Sequence, residues 1–251
     1  LDMIQEVYQK FGFNDFWVRI STRDSKNKAK YIGDSKIWDE SEKILSKLIA
    51  KRGWKQKIGE GEAAFYGPKL DFLFKDVLGR EWQLSTIQLD MNLPGRFKLE
   101  YTDENGKKQQ PIVLHRAILG STERFLGILI EHYTGAFPLW LAPEQIWILP
   151  VSDKSLLYAN SIRNQLQQEC PSLRIVYKTE NETLGKKIRE GELQKIPYLL
   201  IVGEREAQNN TVSVRARGKG DLGQMIIQEF LSKITEELDQ HESAKISVNQ
   251  R

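Results

Sequence analysis

The run Val113-Leu114-His115-Arg116-Ala117-Ile118-Leu119-Gly120-Ser121-Thr122-Glu123-Arg124-Phe125-Leu126-Gly127-Ile128-Leu129-Ile130 sets a histidine in a strand, a glycine break after it, and an arginine in the first turn of an apolar helix. That order suits an anion. Unpaired N–H groups at a helix start, the positive end of its dipole and a guanidinium fork converge where phosphate oxygens could sit. The same residues also read as an ordinary β-to-α connection, with Arg124 solvated or paired to Glu123. His115 alone reads more readily as a hydrogen-bonded strand histidine than as a metal ligand. Thr86 and Gln88, two apart, share one strand face as a common pocket requires. Gln83 points the other way in a regular strand and needs a bulge or a backbone contact to join them.

Elements to position these residues follow from periodicity. Leu1, Ile4, Val7, Tyr8 and Phe11 recur at helical spacing, Gly12 stops that helix, and the apolar run 16–20 reads as a strand. A second helix carries Trp38, Ile44, Leu45, Leu48 and Ile49 on one side and ends near Gly53. Period two then takes over. Leu70, Phe72 and Phe74 share one strand face, Trp82, Leu84, Thr86 and Gln88 share another, and Gly79 turns between them, which predicts an antiparallel hairpin. A further strand pair, about 96–102 and 110–118, is expected across Asp103-Glu104-Asn105-Gly106, and a helix over about 121–134. The first region is thus an α+β domain with a mainly antiparallel sheet.

Residues 135–145 hold two prolines and a glycine, and the domain boundary is expected there, between 143 and 144. Beyond it the pattern predicts strand 146–151, helix 153–169, strand 173–178, helix 183–194, strands 197–203 and 211–216, and helix 221–238. Alternating strands and helices imply an α/β domain over 144–241 with a mostly parallel sheet covered on both faces, and a polar, mobile tail over 242–251.

Composition bounds the class. With 40% hydrophobic and 28% charged residues, the 251-residue chain is long enough for one large or two ordinary domains. No stretch approaches the roughly 18 uncharged apolar residues of a membrane span, and residues 1–20 lack a secretory signal. The single cysteine, Cys170, excludes an internal disulfide framework and a multi-thiolate metal site, which fits a reducing compartment such as the cytoplasm. Net charge is only +3, but between Arg174 and Gly220 ten Lys or Arg face six Glu. That local excess suits a polyanion, but a solvated mixed-charge surface shows much the same count and is the more ordinary reading. The chain opens on Leu1 rather than Met and reads as a piece of something longer.

Gly120-Ser121-Thr122-Glu123-Arg124 ahead of an apolar helix resembles motif 3 of class II aminoacyl-tRNA synthetases, whose arginine contacts the ATP phosphates. Ala64-Phe65-Tyr66-Gly67-Pro68-Lys69-Leu70-Asp71-Phe72, Thr86-Ile87-Gln88-Leu89-Asp90 and His115-Arg116-Ala117 together resemble the threonyl-tRNA synthetase family, over essentially residues 1–240. The resemblance implies the second half of the catalytic domain followed by an anticodon-binding domain. It implies that Tyr66 and Gln88 hold threonine, that Gln83, Thr86 and Arg124 line the ATP site with Mg²⁺, and that Lys69 meets an adenylate or tRNA-end phosphate. His115 matches the last ligand of a zinc site built from one Cys and two His, which in that family selects threonine over valine through its hydroxyl. The other two ligands, and motifs 1 and 2, are expected upstream of Leu1. Cys170 sits ahead of Pro171 in the second domain and reads as a small buried hydrophobe; His132 and His241 are not assigned to metal.

Ile196-Pro197-Tyr198-Leu199-Leu200-Ile201-Val202-Gly203, with Gly-Lys-Lys-Ile-Arg-Glu before it, resembles the anticodon-binding domain shared by the threonyl, prolyl, histidyl and glycyl enzymes. The resemblance implies that Asn181, Arg189, Glu206 and Arg215 read anticodon bases, whose open edges suit amide, guanidinium and carboxylate groups. Lys186, Lys187, Arg217 and Lys219 are candidates for phosphate contacts or plain surface charge. The function implied is ATP-dependent attachment of threonine to tRNA(Thr), incomplete in this chain alone. Family enzymes are homodimers; this portion is expected to be monomeric. A non-catalytic tRNA-binding module is the alternative, and a prolyl enzyme a second one that His115 argues against.

Overall fold

The computed structural model describes residues 1–243, with side chains through Asp239. They divide into two compact units, Leu1–His132 and Tyr133 onward. In the first, α1 (Asp2–Lys10) leads into β1 (Phe16–Thr22), α2 (Ser35–Lys51), β2 (Gln56–Glu60), β3 (Lys69–Lys75) and β4 (Glu81–Asp90). A short α3 (Leu93–Arg96), a two-stranded hairpin of β5 (Tyr101–Thr102) and β6 (Lys108–Gln109), β7 (Val113–Ala117) and α4 (Thr122–His132) complete it. The main sheet has the order β2-β1-β3-β4-β7, parallel between β1 and β2 and antiparallel elsewhere.

One face of this sheet is the core. Val18, Ile20, Leu70, Phe72, Phe74 and Ile87 are buried there, along with Ile4 and Tyr8 of α1 and Phe125, Ile128 and Leu129 of α4. Tyr8 stacks on Phe74 with ring centroids 3.8 Å apart. On α2 the buried stripe is Trp38, Ser41, Leu45 and Ile49, a clean three-and-four spacing. Ile44 and Leu48, expected on that side, are exposed, because each lies a step of about 100° around the helix from the row that meets β1.

The strand pair expected over 96–102 and 110–118 forms differently. The N–H groups of Asn92 and Leu93 donate to Asp90 Oδ1 at 2.9 Å, which starts α3 and removes 93–96 from any strand. Pro111 separates β6 from β7, and β7 pairs with β4 instead.

The second unit runs β8 (Ile146–Pro150), α5 (Leu156–Glu169), β9 (Ile175–Tyr177), α6 (Leu184–Leu193), β10 (Tyr198–Val202), α7 (Glu204–Asn209), β11 (Thr211–Ala216), β12 (Gly220–Ile226) and α8 (Ile227–Ser243). Its sheet has the order β12-β11-β10-β8-β9, in which β10, β8 and β9 are parallel and β11 and β12 are antiparallel additions. Ile162 and Leu166 of α5 and Phe230 and Ile234 of α8 pack on one face; Leu184 and Ile188 of α6 pack on the other against Trp147, Leu149 and Leu199. Helix 221–238 is not found as such. Gly220 and Gly223 adopt φ of +72° and +82°, outside the helical region, and the chain returns along β11 as β12 before α8 begins.

The two units divide upstream of the prolines that suggested 143/144. The intervening segment is tied into the second unit: Leu139 lies in its core, Gln145 Nε2 donates to Leu139 O at 2.8 Å, and Arg174 donates to the carbonyls of Ala142 and Trp140 at 2.9 Å. Cys170 is partly buried against the same core. Of the expected tail, α8 takes in Glu242 and Ser243, and residues 244–251 lie outside the described residues. Among the described residues no helix is long and apolar enough to cross a membrane.

Candidate functional site

The second face of the first sheet is polar. Its arrangement depends on a bulge in β4: Asp71 faces Thr86 but Leu73 faces Gln83, so two steps along β3 match three along β4. An extra residue reverses the parity of a strand, and Gln83 therefore falls on the same face as Thr86 and Gln88. Trp82, opposite Phe74, belongs to the helix-covered face, so the sequence-based grouping of Trp82 with Thr86 and Gln88 is corrected.

The register then lines up a row across four strands. Arg19 lies opposite Asp71 and Ser21 opposite Lys69; Lys69 in turn lies opposite Gln88, and Gln88 opposite His115. Asp71 is fully buried. Its Oδ2 accepts from Ser21 Oγ at 2.8 Å and Arg19 Nη2 at 3.1 Å, and pairs with Lys69 Nζ at 2.9 Å. Its Oδ1 accepts from Gln83 Nε2 at 2.8 Å and Thr86 Oγ1 at 3.0 Å. Arg19 Nη2 also donates to Gln83 Oε1 at 2.8 Å, which holds that amide at both ends.

Gln88 Nε2 donates weakly to Thr86 Oγ1 at 3.4 Å, and Tyr66 donates its hydroxyl to Gln88 Oε1. The Tyr66 ring lies edge-on to His115, with centroids 6.1 Å apart, and His115 Nε2 is 3.0 Å from Asp90 Oδ2. Burial would push the Asp90 carboxyl up, but the Leu93 N–H, His115 and the Asn92 N–H outweigh it and hold the carboxyl below the usual range. Burial and the charge of Asp90 push the Tyr66 phenol up, so Tyr66 stays a donor. Gly67 is required here: a Cβ on it would stand 1.7 Å from the carbonyl oxygen of Leu89. Only a bare backbone lets the Tyr66 loop lie this close to β4.

Tyr66, Lys69, Gln83, Thr86, Gln88 and His115, all named from sequence, thus share one sheet face. Arg124 stands apart from their hydrogen bonds. It lies in the first turn of α4, its N–H donating to Ser121 Oγ at 3.1 Å, and its guanidinium carbon lies 5.8 Å from the Trp82 ring centroid. Two contacts with the bulge seat the turn before it. Ser85 and Tyr8 both donate to Ile118 O, and Gly120, at φ +70°, comes so close to Leu84 O that a Cβ would sit 2.7 Å away. Sequence reasoning gave no role to Arg19, Ser21, Asp71 or Asp90. The available signal was a carboxylate between Leu70 and Phe72 in a strand whose apolar side was already assigned.

His115 supplies one imidazole, already against Asp90. Among the described residues no group of three or more His, Cys, Asp or Glu side chains could hold a metal ion, so this donor set does not by itself form a zinc site.

In the second unit the expected base readers do not share a network. Asn181 and Arg189 are exposed, on the loop before α6 and on α6. Glu206 is engaged internally. Its Oε2 accepts the Gly203 N–H at 2.9 Å, capping α7, and its Oε1 accepts Ser213 Oγ at 2.8 Å and Gln224 Nε2 at 2.9 Å. Arg215 pairs with Glu192 at 3.2 Å and Asp221 at 3.9 Å, and lines a cavity of about 180 Å³ with Ile196, Leu199 and Gly218. Of the phosphate candidates, Lys187 is buried with Nζ on Lys178 O at 3.0 Å, and Arg217 donates to the carbonyls of Lys195 and Phe137. Both hold backbone carbonyls, Lys187 out of solvent and Arg217 partly exposed. Lys186 pairs with Glu182, and Lys219 is exposed.

The polar face, the turn into α4 and the parallel-sheet unit that follows are matched by known families. Residues 1–133 match the tRNA synthetase class II core domain (G, H, P, S and T), and residues 145–237 match the anticodon binding domain. The chain belongs to the class II tRNA synthetase family. Within it the similarity is to threonine–tRNA ligases: that of Bacteroides fragilis (strain YCH46) is 48% identical over 95% of this chain and 36% of its own length. The RNA binding domain of threonyl-tRNA synthetase from Cryptosporidium parvum Iowa II superposes with a TM-score of 0.84 at 34% identity, over 94% of this chain and 58% of that one. The putative threonyl-tRNA synthetase ThrRS-1 of Aeropyrum pernix gives 0.75 at 29% identity, over 97% and 58%. The chain therefore spans little more than a third of the curated relative's length.

Proposed function

We propose that this chain supplies the motif 3 half of a threonine–tRNA ligase active site together with the anticodon-binding domain of that enzyme, working in the cytoplasm on threonine, ATP and tRNA(Thr). The observation that carries this reading is the convergence of Tyr66, Lys69, Gln83, Thr86, Gln88 and His115 on one sheet face. In the reaction, the threonine carboxylate displaces pyrophosphate from the α-phosphate of ATP, and a hydroxyl of the terminal tRNA adenosine then displaces AMP from the threonyl carbonyl. Tyr66 and Gln88 hold the amino acid, Gln83 and Thr86 line the nucleotide site, and Lys69 and Arg124 meet phosphate oxygens. Such residues act by positioning and by charge stabilisation. Mg²⁺, when bound with ATP, neutralises phosphate charge. His115 acts as one zinc ligand only where the full enzyme completes the set, and elemental analysis of this chain alone is expected to give less than stoichiometric zinc. The complete enzyme is read as a homodimer.

In the second unit the internal engagement of Glu206 leaves Arg215 as the stronger candidate for reading a base. Binding of this chain to tRNA transcripts with threonine and non-threonine anticodons, at two salt concentrations, tests the reading. Preference for threonine anticodons, lost in Arg215→Ala, supports it; weak binding that only tracks salt would remove the anticodon role and leave the second unit's cations as surface charge. Selective tRNA binding with no affinity for a non-hydrolysable threonyl-adenylate analogue would favour the binding-module alternative.

A further inference from the structure

We propose that Asp71 is the positioning residue of the nucleotide face, presetting Lys69, Gln83 and Thr86 before any ligand arrives. The inference rests on the reading of that face as the adenylate site, but the geometry behind it does not. A fully buried carboxylate in a β-strand needs partners for both oxygens, and Asp71 has five: Arg19, Ser21 and Lys69 on Oδ2, Gln83 and Thr86 on Oδ1. Three of the five are residues assigned to ligand contact.

Each is held in a defined sense. Gln83 has its N–H₂ on Asp71 and its oxygen on Arg19 Nη2, so its amide cannot turn over without placing acceptor against acceptor at Asp71 and donor against donor at Arg19. Lys69 commits one ammonium hydrogen to Oδ2 and keeps two, with its side chain 15% exposed. Thr86 donates its hydroxyl to Oδ1 and so presents its lone pairs elsewhere, one of them to Gln88 Nε2. The bulge in β4 is what brings Gln83 and Thr86 onto one oxygen, since in an unbulged strand the two residues face opposite ways. The charges also balance toward an anion. Arg19 and Lys69 bring two positive charges to a single buried carboxylate, and Glu62, 3.8 Å from Arg19 Nη1, is more than half exposed and screened by solvent.

Substitution by asparagine keeps the volume and replaces one acceptor by a donor. With its oxygen toward Arg19, Ser21 and Lys69, the new N–H₂ faces Gln83 Nε2, and Lys69 keeps a hydrogen bond but loses its anionic partner. The test is side-chain nitrogen NMR on the full ligand-free chain, reading hydrogen exchange at Lys69 Nζ, identified by its loss in Lys69→Arg, and at Gln83 Nε2. In the unsubstituted chain both are expected to exchange at least about tenfold more slowly than the exposed Lys26 and Gln228. In Asp71→Asn both should accelerate about tenfold while the backbone amides of β1, β3 and β4 keep their shifts, and Asp71→Glu, which restores a carboxylate, should recover slow exchange at Lys69.

Unchanged exchange in a folded Asp71→Asn overturns the proposal. So does exchange at exposed rates in the unsubstituted chain, a result that decides the matter even if Asp71→Asn fails to fold. A second arm titrates the same proteins with a non-hydrolysable threonyl-adenylate analogue. At least tenfold weaker binding by Asp71→Asn supports the proposal, and equal binding by the two overturns the role toward ligand. No binding by the unsubstituted chain counts against the adenylate reading of the face, while the exchange rates still decide what Asp71 does.

Discussion

In the first unit five donors from three strands close on one buried carboxylate, and the residues expected to touch small substrates are among those donors. In the second, Glu206 caps its own helix, Arg217 and Lys187 hold backbone carbonyls, and Asn181 and Arg189 lie exposed. The difference teaches how much organisation each task requires. A site for a small adenylate gains from groups already fixed in place, because ordering them on binding costs affinity. Under the proposed reading of the second unit, single-stranded bases can be met by exposed side chains that adjust, and its engaged polar residues serve structure.

The largest expected effect breaks the first unit. Asp71→Ala leaves Arg19 and Lys69 facing each other without a carboxylate and should cost about 3 kcal/mol or more, with hydrogen exchange rising across β1, β3 and β4 and little change beyond Tyr133. Gly120→Ala should cost about 1–3 kcal/mol in urea unfolding, because a Cβ 2.7 Å from Leu84 O at φ +70° forces the turn before Arg124 off the bulge.

The contrast in the second unit is sharpened by a pair. Arg217→Ala should cost about 1–2 kcal/mol through the loss of bonds to Lys195 and Phe137. Lys219→Ala should leave stability within about 0.5 kcal/mol and lower the salt slope of tRNA binding by about one; equal effects from the two would erase the distinction between structural and surface cations.

The last effect is a loss of stability confined to acid. Burial would raise the Asp76 carboxyl, but the Trp82 indole, the Arg80 guanidinium and the N–H groups of Arg80 and Leu78 hold it down to about 2. A carboxyl lowered on folding stabilises above its unfolded value of 3.8, and that contribution is lost as pH falls from there toward 2. Acid titration followed at Trp82 should show the loss in the unsubstituted chain and not in Asp76→Asn.

Much of this was legible along the chain. The helical stripe of α1 and the hairpin of β3 and β4 are local patterns, set by side-chain periodicity and turn chemistry, while the motif residues from Tyr66 to Arg124 were legible through the family resemblance. What escaped was non-local or a matter of single residues. Nothing in Glu81–Asp90 announces an extra residue, since Leu84 and Ser85 can both be buried opposite Phe72 without disturbing the apolar pattern. β12 was hidden because its residues alternate poorly and its pairing with β11 depends on a glycine turn.

The sequence by itself determined which side chains were available for chemistry and which strands and helices would carry them, because both follow from residue type and short-range spacing. The tertiary structure alone decided that Gln83 joins Thr86 and Gln88, that Asp71 becomes the acceptor for three of the site's residues, and that Glu206, Arg217 and Lys187 turn inward. Parity after a bulge, burial of a charge and the choice between a backbone partner and solvent depend on neighbours far away in sequence, and no local pattern encodes them.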